Sequence, residues 1–304
     1  MNILSFKAII LKYIFFYLLL ISYYKFIKFK PLYHQLKVCL CTPVKKENLY
    51  LNEFVEHYKY YKVDKIFLYD NNDIDEEHLE FVVNNYVQSG YIEIINYRGQ
   101  KRALFDMMND CYKKNYQKYD WLIFYEVDEY IHLKNYNNIK KFLIQEKFNK
   151  CETIQLNWVF HTDNEKLYYE NKQLKKRFSN VARFVTYTAI KSILRGKIPN
   201  IIINCVHQIN ENLKSCNGFG NFTVTKTIGT SSLDYEYYYI DHYFCKSTEE
   251  FVKKMNKGDV LYSIDNIKER IKVYFAVNKP TKAKIKYLKQ NILTNVSLDD
   301  IIPT

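Results

Sequence analysis

The chain has 304 residues, 48% of them apolar and 17% aromatic. That is enough to bury the core of one large α/β domain plus an extension, and it excludes general disorder. Seven glycines are too few for an array of tight hairpins or a Gly-rich phosphate loop. The net charge of +12 invites a nucleic-acid partner, but only six of the 45 basic residues are Arg. Base-edge and phosphate recognition favours the guanidinium fork, so nucleic acid is not the expected partner and the charge reads as a solvated surface near anionic lipid.

In chain order, residues 9–27 are apolar but for Lys12 and Lys25 and lack the small residues of a cleavage site. They predict an uncleaved N-terminal membrane-anchor helix within residues 1–30. Lys25, Lys28, Lys30 and Lys37 outweigh Lys7 and Lys12 on the other flank. This puts the main domain on the cytoplasmic side, or in the Golgi lumen of a eukaryote. From residue 37, strand patterns at 37–42, 65–70, 91–96 and 121–125 alternate with helical ones at 48–61, 75–88 and 100–114. The alternation predicts βαβ units in a Rossmann-like, mostly parallel sheet flanked by helices, within a domain over 37–275. Further on, 153–160 reads as a strand and 235–243 has strand propensity; 248–256, 264–273 and 282–293 read as helices, the last in a C-terminal helical extension over 276–304. The seven cysteines are scattered without a CxxC and read as reduced core thiols in a reducing compartment.

In such sheets ligands bind beyond the carboxyl ends of the strands. Polar groups gather at three of them: "TPVKKEN" (42–48), "YDNND" (69–73) and "EVDE" (126–129). Glu126, Asp128 and Glu129 crowd like charges, so one takes a proton unless a cation neutralises them. Residues two apart on a strand share a face, so Glu126 and Asp128 would point together as a seat for Mg²⁺ or Mn²⁺. Such an ion bridges a diphosphate and offsets charge on a leaving phosphate.

Taken in order, "KKEN" (45–48), "EFVEHY" (53–58), "LYDNND" (68–73), Gln100, "EVDEY" (126–130), "NWVFH" (157–161), "KSIL" (191–194), His207 and "HYFCKSTEEF" (242–251) resemble glycosyltransferase family 92 and its bacterial relatives over residues 38–260. The resemblance implies a GT-A fold and transfer of a sugar from a nucleotide-sugar donor, UDP-hexose foremost, to a glycan or glycolipid by inverting displacement. It implies that Asp128, with Glu126, holds the metal ion, and that His242, or alternatively His207, completes the metal site. Tyr69, Asp70 and Asn71 would then meet the donor nucleotide. Glu47, in the first crevice loop, is placed to hydrogen-bond the base, and Lys191, with Lys246 and Arg195 behind it, to steady the diphosphate as a point charge. Inversion needs a carboxylate to deprotonate the acceptor hydroxyl. Asp163 is the candidate base, with Glu249 and Glu250 as alternatives, and Glu129 is grouped with it as catalytic. Trp158 reads as core, with stacking on an acceptor sugar as the alternative. The family has Asp-x-Asp-Glu-Phe where this chain has Glu126-Val127-Asp128-Glu129-Tyr130. The extra methylene lets Glu126 reach the ion through water or contact the ribose, and leaves Asp128 the more secure ligand. Two other classes stay open: a non-catalytic carbohydrate- or nucleotide-binding relative, and a basic membrane-surface or nucleic-acid binder.

Overall fold

The computed structural model describes residues 13–20, 36–182, 189–223, 233–257 and 267–293. The chain divides into two compact units, Met1–Leu36 and Lys37–Thr304. In the first, residues 13–20 are helical and exposed. The rest of the expected anchor lies outside the described residues, and no described helix is long and apolar enough to cross a membrane.

The second unit opens with β1 (Val38–Val44), α1 (Asn48–Tyr60), β2 (Lys65–Asp70), α2 (Glu80–Gln88), β3 (Ile92–Asn96), α3 (Leu104–Asn115) and β4 (Trp121–Phe124). Then follow β5 (Glu129–Leu133), α4 (Ile139–Leu143), β6 (Thr153–Phe160), α5 (Leu174–Arg177), β7 (Ile190–Arg195), β8 (Ser215–Asn217), β9 (Tyr238–His242), α6 (Thr248–Asn256), α7 (Ile267–Val277) and α8 (Lys282–Asn291). Among the described residues the strands make one sheet in the order β3-β2-β1-β4-β7-β6-β9-β5, with β8 beside β6. β1 pairs in parallel with β2 and β4, and β2 with β3. β7 runs against both β4 and β6, while β8 and β9 run with β6 and β5 runs against β9. Every strand but β5 and β7 therefore points one way. The ends of β1, β4, β6 and β9 and the starts of β5 and β7 lie along one edge of the sheet, where ligands of open α/β sheets sit.

β1 is buried along nearly all its length, as the apolar run "VCLCTPV" requires of a central strand covered on both faces. α1 buries Tyr50, Leu51, Phe54, Val55 and Tyr58 at helical spacing. The Tyr58 hydroxyl donates to the Glu129 carbonyl (2.8 Å) and accepts from the Ile131 amide (3.3 Å), which ties the helix to the start of β5. One core cluster packs Leu104, Met107, Met108 and Cys111 of α3 on β1, β2 and β4. A second gathers α6, α7 and α8 around Phe251, Tyr274 and Leu288, so the C-terminal helix shares a core with its predecessors.

Two expectations are corrected. β4 ends at Phe124, so Glu126 and Asp128 lie in a turn and Glu129 opens an unpredicted strand, β5. The cysteines are not all reduced: Cys41–Cys111 ties β1 to α3, and Cys151–Cys216 ties the segment before β6 to β8. Cys39, Cys205 and Cys245 stay free. The bonded partners are 70 and 65 residues apart in sequence, so no local spacing reveals them.

Candidate functional site

Beyond β4, Tyr125 is buried and the chain turns over Glu126 to Asp128. The Glu129 amide donates to the Glu126 carbonyl (3.0 Å), and the Glu126 amide donates to the Glu129 carboxylate (2.8 Å). In this turn the three acids meet two lysines. Lys191, at the start of β7, places Nζ 2.8 Å from Glu126 and 3.3 Å from Glu129. Lys254, on α6, places Nζ 2.5 Å from the Asp128 carboxylate. His242 stands opposite Glu129 in the β5–β9 ladder and brings Nε2 to 3.6 Å from the same Asp128 oxygen.

The crowded charges are thereby resolved. Burial opposes ionisation of Glu126, but Lys191 overrides it and holds the carboxyl down to about 2. Burial likewise opposes Asp128, and Lys254 and His242 override it, keeping the carboxyl well below the usual range. Glu129 is fully buried, and that burial pushes it up to about 8; Lys191 offsets this only in part, while Glu126 and Asp128 add to it. One acid of the three thus carries a proton at neutral pH, as so close a set demands. Burial also lowers His242, whose Nδ1 is enclosed without a hydrogen-bond partner.

Beyond the end of β1 lies a crevice of about 780 Å³, walled on one side by Lys46, Glu47 and Tyr50 and on the other by Lys246, Lys254 and Lys257. Ser247 and Glu250 form a capping box that starts α6. Glu250, Lys254 and Lys257 follow at i, i+4 and i+7 and share one helix face. Arg177 (2.7 Å) and the Tyr50 hydroxyl (2.6 Å) lock Glu250, which fixes α6 against α1. Lys246 lies 3.7 Å above the Tyr50 ring and 3.5 Å from Glu47, which also pairs with Lys257. Lys254 lies 4.4 Å above the Phe244 ring. Arg270 acts electrostatically on Glu126 and Asp128. Lys191, Lys246, Lys254, Lys257 and Arg270 thus meet Glu47, Glu126, Asp128 and the protonated Glu129, leaving an excess of positive charge. Such an excess in a cleft attracts a polyanion.

Of the other expected site residues, Glu47, Lys246 and Glu250 line the crevice and the rest do not. Glu47 is in the crevice, buried and engaged by two lysines. Asp70 and Asn71 end β2 but serve the loop: Asp70 pairs with Arg98 (2.8 Å) and accepts from Asn72, while Asn71 donates to the Tyr97 and Gln100 carbonyls. Tyr69 turns into the core against α3 and bonds Asp110. Lys191 is buried against its two acids and is not among the residues that line the crevice. Asp163 is corrected as a base: it is buried, pairs with Lys284 (2.6 Å) and accepts from the Tyr274 hydroxyl (2.9 Å), a strut from the end of β6 to α7 and α8. Glu249 holds Lys253 and the Tyr169 amide, and Arg195 is used on the Cys151 and Phe148 carbonyls. His207 bonds the Ile190 carbonyl and packs on Trp158, whose ring lies tilted 4.1 Å from that of His242. Sequence reasoning missed Lys254, Lys257 and Arg270. The capping box Ser247-x-x-Glu250 followed by lysines at helical spacing was the available signal for the first two.

The donor set does not fit the expected Mn²⁺ or Mg²⁺ seat. Among the described residues no three His, Cys, Asp or Glu side chains converge to hold an ion. Both carboxylates that would lead such a set carry an ammonium group instead, and an ion beside Asp128 would face Lys254 and Arg270.

Fold and crevice define a mixed α/β protein with a lysine-lined crevice at its strand ends. Residues 34–272, most of the chain, match the model of glycosyltransferase family 92, and the chain belongs to that family. Membership makes it an enzyme of the glycosyltransferase class. No curated protein matches it in sequence. Among solved structures it is similar to S. aureus TarS 1–349 in complex with UDP, at 11% identity, covering 79% of this chain and 71% of that one with a TM-score of 0.41. It is also similar to the mannosyltransferase PcManGT of Pyrobaculum calidifontis in complex with GDP-Man and Mn²⁺, at 8% identity and a TM-score of 0.31. That match covers 40% of this chain and spans about a third (35%) of the mannosyltransferase.

Proposed function

We propose that this chain moves a hexose from a UDP-sugar to a hydroxyl of a glycan or glycolipid, with inversion. The observation that carries the reading is the lysine-walled crevice beside the Glu126–Asp128 turn, in a chain of glycosyltransferase family 92. Lys246, Lys254 and Lys257 would face the donor's diphosphate as point charges. The acceptor oxygen attacks the anomeric carbon, the bond to the diphosphate breaks, and its electron pair leaves on the phosphate oxygen. The acceptor proton needs a carboxylate. The Glu126 side chain is 43% exposed, against 4% for Asp128 and 0% for Glu129, so it is the carboxylate of the turn open to an acceptor and takes that role.

Two disulfides support a domain that folds in an oxidising compartment. Together with an apolar N-terminal anchor, this favours the lumenal or extracytoplasmic face of a membrane over the cytoplasmic one. The function is tested by incubating the full chain with a panel of UDP- and GDP-hexoses and measuring released nucleotide. Slow release from a UDP-hexose is expected, and its loss in a Lys246→Ala/Lys257→Ala variant that keeps the native circular dichroism. Equal release by both proteins would sink the reading.

A further inference from the structure

We propose that Lys254 stands in the place of a divalent cation beside Asp128, so that sugar transfer at this site runs without a metal. The inference rests on the sugar-transfer reading above and adds the source of the positive charge. Asp128 is buried and is the acid nearest His242, which is where a bound ion would bridge carboxylate and imidazole. The charge found on that carboxylate is the Lys254 ammonium, at 2.5 Å. Lys254 is not a wandering surface side chain: it is 15% exposed and also rests on the Phe244 ring at 4.4 Å. Its helix is fixed at the other end by the Arg177–Glu250–Tyr50 lock. Lys191 hydrogen-bonds Glu126 and lies 3.3 Å from Glu129, so a lysine ammonium stands beside each carboxylate of the turn. Arg270 and Lys246 add positive charge around Asp128, which raises the energy of any further cation.

The chemistry remains balanced. When the bond between the anomeric carbon and the donor's phosphate oxygen breaks, the electron pair stays on that oxygen. Lys254 offsets the new charge and donates a hydrogen bond from its ammonium. No redox partner is involved, and the acceptor's proton goes to Glu126.

The test is calorimetric titration of UDP into the full-length native chain, in EDTA and again in Mn²⁺, with nucleotide release from UDP-hexoses followed under both conditions. Equal binding and equal release are expected. Lys254→Ala should weaken UDP binding about 10- to 100-fold, the loss of one charge-assisted contact, and Lys254→Arg should recover most of it. The electron-paramagnetic signal of free Mn²⁺ should be undiminished by the native chain, a readout that needs no variant to fold. Binding and release that appear only with Mn²⁺ would overturn the inference while leaving the sugar-transfer reading intact. No UDP binding and no release under either condition would overturn both.

Discussion

Replacing Lys191 by Met removes the ammonium shared by Glu126 and Glu129 while keeping most of the side chain's volume. The effect on stability depends on pH in a way the structure dictates. In the native protein Glu129 is pushed by burial to about 8 from an ordinary 4.5. Between those values the folded state holds one proton more than the unfolded chain, so stability falls by about 1.4 kcal/mol per pH unit as pH rises, and the fall stops above 8. Removing Lys191 takes away the main attraction favouring the ionised form, and Glu129 stays protonated to higher pH. The variant's stability should therefore keep falling where the native curve has levelled. At neutral pH the loss should be about 1–3 kcal/mol, below the 3–5 typical of a broken buried pair, because Glu129 takes a proton and the partly exposed Glu126 rehydrates. Above pH 8 the gap should widen by about 1.4 kcal/mol per unit. Urea unfolding of both proteins from about pH 6 to about pH 9.5 reads this directly. Curves that stay parallel across that range would refute the placement of a protonated Glu129 against Lys191.

Arg177→Ala should cost about 3–5 kcal/mol in the same assay, because it leaves Glu250 buried and charged at the junction of α1 and α6. A loss under 1 kcal/mol would mean that the lock contributes little. Thiol titration of the unfolded, unreduced chain should count three cysteines, Cys39, Cys205 and Cys245, and seven after reduction; seven in both would remove the disulfides. Cys151→Ser/Cys216→Ser should lower stability by about 2–4 kcal/mol for a closed loop of 65 residues. Burial lowers His57 to about 4 from 6.5, so its neutral form stabilises the fold above 6.5 and that stability is lost as pH falls through 4. His57→Gln should flatten the acid limb by at most about 1.4 kcal/mol per unit, and superimposable curves would contradict this.

The first half of the fold was legible because each element there carries its own period. The apolar runs of β1, β2 and β4 and the helical spacing of Leu51, Phe54, Val55 and Tyr58 need no tertiary partner to be read. The expectation of a strand-end site followed from that alternation alone. β5 and β7 escaped because each depends on distant pairing, β5 on β9 and β7 on β4 and β6. The crowding of Glu126, Asp128 and Glu129 correctly announced a need for cations, but local sequence cannot say whether metal or lysine meets it. Lys191 and Lys254 arrive from 65 and 126 residues away. The partners of Asp163 were hidden for the same reason, since Lys284 and Tyr274 come from helices far along the chain. Asp70 and Asn71 were placed at the right strand end, but Arg98 and the Tyr97 and Gln100 carbonyls engage them first.

The account stands on the donor lying between the β1–α1 loop and α6. Hydrogen exchange of the full chain, with and without saturating UDP-hexose, tests that directly. Slowed exchange at the amides of residues 45–50 and 246–257 is the predicted result. Protection confined to other segments, with both of these unchanged, would contradict it.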